Sequence, residues 1–548
     1  MRIGFTQEPA RTTGVGILNM QSEVPVAQPV AASRHLRAIG LMAVLGAALE
    51  LLRFRDPTYA VDDAWISFRI ARNWLQAGVP TFDLGRPPVE GMTNLLWTVM
   101  SASWIKVLPD SDPIVLARVL GGLLLLATVF VLVTTAIRMA GRLNGNAVLG
   151  GTVTGMCIAT SGWLAFHALS GLETALYGLL FALTLDQWDR LSETWSCSAG
   201  WGVGVSLALL GATRPEGVLI AILFVAVCLY RFGAGPTLWR VATPCVLLLG
   251  LVELFRWHTY GALVPNTFEA KPPNLNAGLL YFIEAVIFGI GVVPLLPCIA
   301  ALTRRSSRDI ALVIVITAAA TVISGGDWMP GFRRQIPFVL GVAVLCGAGL
   351  GGLRRLAIPS AVLCVLAWIV GNAALGLSGK DSVHSDTQDL AALGQRVAAT
   401  PSIHSVALSD IGAFGWYYHG SILDLYGLTD RYLASLNSSD NRDPLALAYV
   451  SSSAPDLVLL RSRTRVSDPL PASLSVASNE RSLLLWLLRD PRYNYRGYIP
   501  MRYGFTLLAF VRQGVTLPER LWGPLPTKSL QQLIREHGET EGRSLPTR

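Results

Sequence analysis

Charge is the property this chain has least of. Only 15% of its 548 residues are Asp, Glu, Lys or Arg, while 52% are hydrophobic; soluble globular proteins carry about 25% charged residues. So little charge excludes a water-soluble surface along the whole chain. Cysteine is scarce and one-sided. All seven (Cys157, Cys197, Cys228, Cys245, Cys298, Cys346 and Cys364) lie in the apolar part, so an exported tail would fold without disulfides. No CxxC pair offers a zinc spacing. Neither a P-loop nor a GxGxxG after a strand-like run occurs, so no sugar-nucleotide site is expected. The first thirty residues lack the apolar core of a cleavable signal, and residues 1–36 read as a disordered cytoplasmic leader. The net charge of +8 does not point to nucleic acid, because the Lys and Arg residues sit in short loops and at segment ends, where positive charge sets membrane orientation.

What the chain does have is long apolar runs. A bilayer core needs roughly 20 helical residues. Candidate spans fall at 38–53, 113–137, 147–169, 172–186, 199–213, 215–231, 239–256, 279–302, 308–324, 334–350 and 354–374. Arg34 and Arg37 precede the first, as in a signal anchor with its N-terminus inside. Arg138 and Arg142, Arg190, Arg231, Arg304 with Arg305 and Arg308, and Arg354 with Arg355 fall in alternate connections, which are therefore placed inside. A crossing at 93–108 would break that parity, so this stretch is expected to be a juxtamembrane or re-entrant helix on the outer face. The expectation is eleven spans in a membrane body of residues 37–374, with a first outer loop at 54–112. The tail, 375–548, shows strand-like runs at 405–408, 421–425, 456–460 and 505–511 between helical stretches. It is read as an extracytoplasmic α/β domain large enough to hold its own core.

Just beyond the first span, two adjacent acids open an amphipathic stretch, Asp62-Asp63-Ala64-Trp65-Ile66-Ser67-Phe68-Arg69. Ionisable groups beside a membrane are costly and usually functional. Neighbouring carboxylates repel, which separates a general base from a group that orients substrate or binds metal. A helix N-cap accounts for one Asp and leaves the other to be explained. Cations lie in loops on the same side: Arg69, Arg72, Arg214, Lys271, Arg333 and Arg334. Each alone is an ordinary snorkelling residue. Six beside a carboxylate pair suit a membrane phosphate, in binding and in taking up charge as it departs. Candidates for holding a sugar or acceptor share these loops: Glu90 and Asn94, His258, Asn266, and Asp327 with Trp328. An interfacial aromatic belt explains the rings but not Asn266 or Lys271.

Together these motifs resemble the GT-C superfamily of membrane glycosyltransferases, most closely the terminal arabinofuranosyltransferase branch of mycobacterial cell-wall synthesis. The likeness rests on Asp62 to Arg69 and on Glu90-Gly91-Met92-Thr93-Asn94. It continues through Ser170-Gly171-Leu172-Glu173-Thr174, Thr213-Arg214-Pro215-Glu216-Gly217, Val264-Pro265-Asn266-Thr267-Phe268-Glu269-Ala270-Lys271 and Gly325-Gly326-Asp327-Trp328-Met329. In the tail it includes Ser409-Asp410-Ile411-Gly412-Ala413 and Asp424-Leu425-Tyr426-Gly427-Leu428-Thr429-Asp430. The resemblance implies a mainly α, polytopic GT-C membrane fold in a bacterial inner membrane, with its active site and tail periplasmic. It further implies an acidic base in the first outer loop, a polyprenyl-phosphate sugar donor such as polyprenyl-phospho-arabinofuranose, and a cell-envelope glycan or protein acceptor. A divalent cation (Mg, Mn or Ca) enters in some members, and Asp62 is the candidate ligand here.

The expected reaction is one inverting displacement. Asp63 or Asp62 takes the proton of an acceptor hydroxyl, and Arg214, Lys271 and Arg334, with Arg69 and Arg333, hold the leaving phosphate. Two rival classes remain. A lipid-linked-sugar flippase needs polar groups through the membrane core, and apart from Asp186 and Glu253 near segment ends the spans lack them. A membrane-anchored glycan-binding protein would place the work in the tail.

Overall fold

The computed structural model describes residues 29–53, 60–271, 273–327, 329, 331–353, 356–375, 380–439, 441–462, 480–501 and 506–516. It is a multi-pass, mainly helical membrane protein with a small sheet domain at its C-terminal end. Each of the predicted apolar segments coincides with a helix or a bent helix pair. Among the described residues, five helices are long and apolar enough to cross a bilayer: Pro113–Arg142, Pro215–Phe232, Pro236–Tyr260, Arg305–Ile323 and Arg333–Gly352. Two bent pairs, Ala147–Ala159 with Gly162–Ala168 (61°) and Leu275–Ile290 with Leu295–Ala301 (85°), raise that to seven. The remaining segments are apolar but shorter (Ala38–Leu52, Cys197–Thr213, Ala357–Ala373), or run on into the charged end of Thr174–Thr194. The first helix starts at Pro29, inside the stretch expected to be a leader; residues 1–28 lie outside the described residues.

The helix Ile336–Gly352 is buried along its whole length at the centre of the bundle. Glycine makes this possible by letting backbones approach. A Cβ on Gly349 would meet the Pro297 carbonyl oxygen at 1.9 Å, and one on Gly347 would meet Thr154 Oγ1 at 2.1 Å. The basic connections gather at one end of the bundle. There Arg138 pairs with Asp186 (2.5 Å), Arg142 with Asp189 (2.6 Å) and Arg231 with Asp309 (2.5 Å). At the other end lie the amphipathic helix Asp62–Ala77 and the helix Leu95–Val107, which packs against it and has only 13 residues.

Among its described residues the tail carries five strands: β1 (Ser405–Leu408), β2 (Ser421–Asp424), β3 (Leu457–Ser462), β4 (Tyr493–Pro500) and β5 (Thr506–Arg512), in the order β2-β1-β3-β5-β4. β1 runs parallel to β2 and β3, whereas β5 is antiparallel to β3 and β4. Side chains alternate between the faces. Ala407, Val458, Leu460 and Phe510 form a core with Leu433, Val450 and Leu487. Val406, Leu408, Leu457 and Leu459 belong instead to a core continuous with the helical body. The tail thus owns only one of its two cores.

Polar side chains of the 60–112 loop clasp the tail, among them Arg69, Arg72, Asp83, Asp62 and Arg86, which pairs with Asp430 at 3.0 Å. Arg69 donates to the carbonyl oxygens of Phe82 (2.7 Å), Gly415 (2.5 Å), Tyr418 (2.9 Å) and Gly420 (3.2 Å). Arg72 donates to the Trp416 carbonyl (2.9 Å) while its guanidinium lies over that indole. Asp83 accepts from the Ile422 amide (2.9 Å) and the Ser421 hydroxyl (2.8 Å). Asp62 accepts from the amides of Gly412 (2.9 Å) and Ala413 (2.7 Å).

Candidate active site

The connections at the end opposite the basic loops converge on a cavity of about 340 Å³. Its wall is contributed by Asp63 and Ser67 from the amphipathic helix, Thr93 and Asn94 from the returning loop, and Glu173 from the 170–174 turn. Arg214 and Glu216 add the next connection, Thr267, Phe268 and Lys271 the 261–271 loop, and Ser324, Asp327, Arg333 and Arg334 the last. Leu428 reaches in from the tail, while Leu219, Thr317 and Thr321 continue the wall down two membrane helices.

Local sequence sets these positions. The residue before a proline avoids the helical region. Arg214, ahead of Pro215, is accordingly extended (φ −151°, ψ 147°), and the break separates Cys197–Thr213 from Pro215–Phe232. The last connection turns on Gly325 (φ 93°), Gly326 (φ 72°) and Gly331 (φ 89°), backbone angles that cost side-chain-bearing residues strain. His167 fixes the same connection from behind, hydrogen-bonded through Nε2 to the Gly331 carbonyl at 3.0 Å.

Two chains of polar contacts cross the wall. In one, the Ser67 hydroxyl donates to Asn94 (3.0 Å), Asn94 donates to Glu173 (2.7 Å), and Arg214 pairs with Glu173 (2.5 Å) and Glu216 (3.3 Å). Glu216 then pairs with Arg334 (2.6 Å). In the other, Arg333 forms a short ion pair with Asp327 and lies 3.6 Å from Asp63. Burial would raise the Asp327 carboxyl, but Arg333 overrides it and holds it down to about 2. Asp63 has no hydrogen-bond partner among the described residues and keeps 24% of its side chain exposed. Lys271 is exposed and has no ion-pair partner among the described residues. Four acids (Asp63, Glu173, Glu216, Asp327) balance four cations (Arg214, Lys271, Arg333, Arg334) around the cavity.

Comparison with solved structures decides the fold. ArnT from Cupriavidus metallidurans, bound to undecaprenyl phosphate, matches with a TM-score of 0.53 at 11% identity, over 88% of this chain and 99% of that one. The fold is that of the GT-C glycosyltransferases. The apo oligosaccharyltransferase of Archaeoglobus fulgidus shares this GT-C fold at a TM-score of 0.51 and 11% identity, over 88% of this chain and 75% of that one. The mycobacterial arabinofuranosyltransferase AftD matches at a TM-score of 0.46 and 14% identity, over 87% of this chain and 41% of that one, a level that decides nothing about the sugar. A family profile described as "Domain of unknown function (DUF8728)" matches residues 383–504. No curated protein sequence matches.

Within this cavity the structure gathers Asp63, Asn94, Arg214, Lys271, Asp327, Arg333 and Arg334 from the sequence-derived candidates. The other described candidates lie elsewhere. Asp62 and Arg69 turn toward the tail, as above, so Arg69 is placed as an interface residue and not beside a donor phosphate. Glu90 pairs with Arg256 (2.5 Å) outside the cavity wall, and Asn266 donates to the Gly427 (2.7 Å) and Leu428 (3.0 Å) carbonyls of the tail. His258 is exposed on the helix Pro236–Tyr260. Trp328 lies outside the described residues. Both Asp62 oxygens accept backbone amides, and among the described residues no three His, Cys, Asp or Glu side chains gather to hold a metal. The donor set therefore does not fit a divalent cation at Asp62. Sequence reading passed over Glu173 and Glu216 as site residues, although Arg214-Pro215-Glu216 alternates charge across a helix start, which is a usable signal.

Proposed function

We propose that this chain is an inverting glycosyltransferase that moves a sugar, arabinofuranose, from a polyprenyl-phosphate carrier to an envelope acceptor on the periplasmic face. The supporting observation is the placement of Asp63. It is a carboxylate with no hydrogen-bond partner among the described residues, on one wall of a chamber whose other walls carry four cations. The ArnT structure of the same fold holds undecaprenyl phosphate. In this chain a carrier phosphate would meet Lys271 first, since the arginines already share their charge with Glu173, Glu216 and Asp327.

The acceptor oxygen attacks the anomeric carbon as the bond from that carbon to the phosphate oxygen breaks. Asp63 accepts the acceptor's proton, and polyprenyl phosphate leaves with one more negative charge, which Lys271, Arg333 and Arg334 stabilise. The carrier's chain would lie along Leu219 and Thr317 between two membrane helices. Gathering of the basic loops at the opposite end supports placing the chamber outside the cytoplasm.

The test is sugar transfer in proteoliposomes supplied with polyprenyl-phospho-arabinofuranose and envelope acceptor. Asp63→Asn is expected to lose about 10²- to 10⁴-fold in rate with unchanged expression. Full turnover by that variant would remove the basis of the reading. Mass spectrometry of envelope glycans with and without the gene identifies the sugar.

A further inference from the structure

The acceptor must reach Asp63 from the aqueous side, and on that side the cavity rim is built by the tail. The segment Asp424–Thr429 is a turn held from within. Asp424 accepts from the amides of Tyr426 (3.0 Å), Gly427 (3.1 Å) and Thr429 (2.8 Å). Gly427 stands at φ 87°, and a Cβ there would meet the Ala434 amide nitrogen at 2.6 Å. Two asparagines stitch this turn to the loop that bears Lys271. Asn266 donates to the Gly427 and Leu428 carbonyls, and Asn437 donates to the carbonyls of Tyr426 (3.1 Å) and Ala270 (2.9 Å).

The turn ends in two side chains with different destinations. Leu428 lines the cavity. Tyr426 keeps 37% of its surface exposed, and its hydroxyl has no hydrogen-bond partner among the described residues. It sits two residues before Leu428 on the same pinned turn, beside the cavity wall, and burial most of all, then the carboxylates of Asp63, Asp424 and Asp327, push its phenol up. Thr267, 9% exposed, lines the cavity beside Asn266, and its buried hydroxyl has no partner among the described residues. Buried polar atoms rarely remain unpaired, which points to a ligand hydroxyl here.

We propose that Tyr426 and Thr267 form the acceptor subsite, with the tyrosine ring stacking on a sugar face and the threonine bonding a sugar hydroxyl, so that the acceptor is a glycan. This rests on the glycosyltransferase reading. A ring offers an apolar face that sugar C–H groups can cover, and a pinned turn presents it at little entropic cost. The lipid-linked donor enters along Leu219 and Thr317, which continue the cavity wall into the membrane helices, so Tyr426 discriminates acceptor from donor.

The experiment uses the full-length protein in proteoliposomes. Donor lipids and envelope glycan are both extracted from a strain lacking the gene, whose acceptor sites are unfilled. Tyr426→Ala is expected to raise the half-saturating glycan concentration about tenfold, the size of one lost stacking contact, while the half-saturating donor concentration holds. Tyr426→Phe should restore the glycan value, which separates stacking from misfolding. An unchanged glycan value in Tyr426→Ala, or a shift in the donor value instead, overturns the subsite. Label entering the extract's protein fraction and not its glycan overturns the acceptor class. Normal transfer by Asp63→Asn in the same assay would bring down the enzyme reading itself, a separate outcome.

Discussion

Asp62 and Asp63 are neighbours in the chain and part company in the structure. Asp62 turns outward to receive the amides of Gly412 and Ala413. Asp63 turns inward to the cavity, 3.6 Å from Arg333. Successive residues on a helix point about 100° apart, so one pair of acids can hold the tail and face the substrate at once.

This division predicts unequal mutants. Asp63→Asn should lose about 10²- to 10⁴-fold in rate, whereas Asp62→Asn, which keeps an oxygen for one of the two amides, should retain most of the rate. Initial rates of both variants, normalised to folded protein, check this. Equal losses in the two would mean that the acids act as a unit.

Lys271 is the cavity cation without an ion pair among the described residues, so its removal leaves no orphaned acid behind. Lys271→Ala should weaken donor binding or turnover by about 10- to 100-fold, the usual value of a charge-assisted phosphate contact. Arg334→Ala also frees Glu216 and should be worse. Donor titrations at two salt concentrations measure both effects.

Arg69 is buried with its hydrogen bonds directed at main-chain oxygens, three of them in the tail. Burial pulls its own pKa down to about 10, which still leaves it charged. Arg69→Met strips these carbonyls of donors and should cost roughly 3 kcal/mol or more, seen as protease release of the tail. Arg69→Lys should not rescue it, because a single ammonium cannot reproduce a planar fork.

The tail should dock more firmly in mild acid than in mild base. Burial, then Asp410, pushes Asp62 up to about 7 from its ordinary 3.8. Burial likewise takes Glu480 to about 7 and Asp424 to about 6. These folded values exceed the unfolded ones, so the folded state binds more protons between them. Their stabilisation is therefore complete below about pH 4 and declines as pH rises through about 7. Protease release or thermal unfolding at pH 5, 6 and 8 should show the trend. Asp62→Asn should reduce the slope and leave the share due to Glu480 and Asp424. A pH-independent wild type would contradict it.

Much of the site was legible in the sequence because membranes restrict where charge can sit. Asp63, Arg214, Lys271, Asp327, Arg333 and Arg334 stand out against apolar surroundings, and loop parity put them on one side before any fold was known. Asp62 and Arg69 looked the same by that criterion and proved to be interface residues. Nothing local distinguishes a charge that meets substrate from one that meets a carbonyl 346 residues away. The strand β4 went unread because Tyr493-Asn494-Tyr495-Arg496 carries little apolar alternation and is ordered by pairing with β5.

The sequence by itself determined the membrane class, the apolar helices and the break at Arg214-Pro215, since each depends on transfer from water or on backbone sterics within a few residues. Only the tertiary structure decided which acid faces the cavity, which arginines are spent on holding the tail, and that Leu428 comes to the cavity wall. Those outcomes depend on contacts between segments hundreds of residues apart, whose geometry arises only when the helices pack and the tail closes over them.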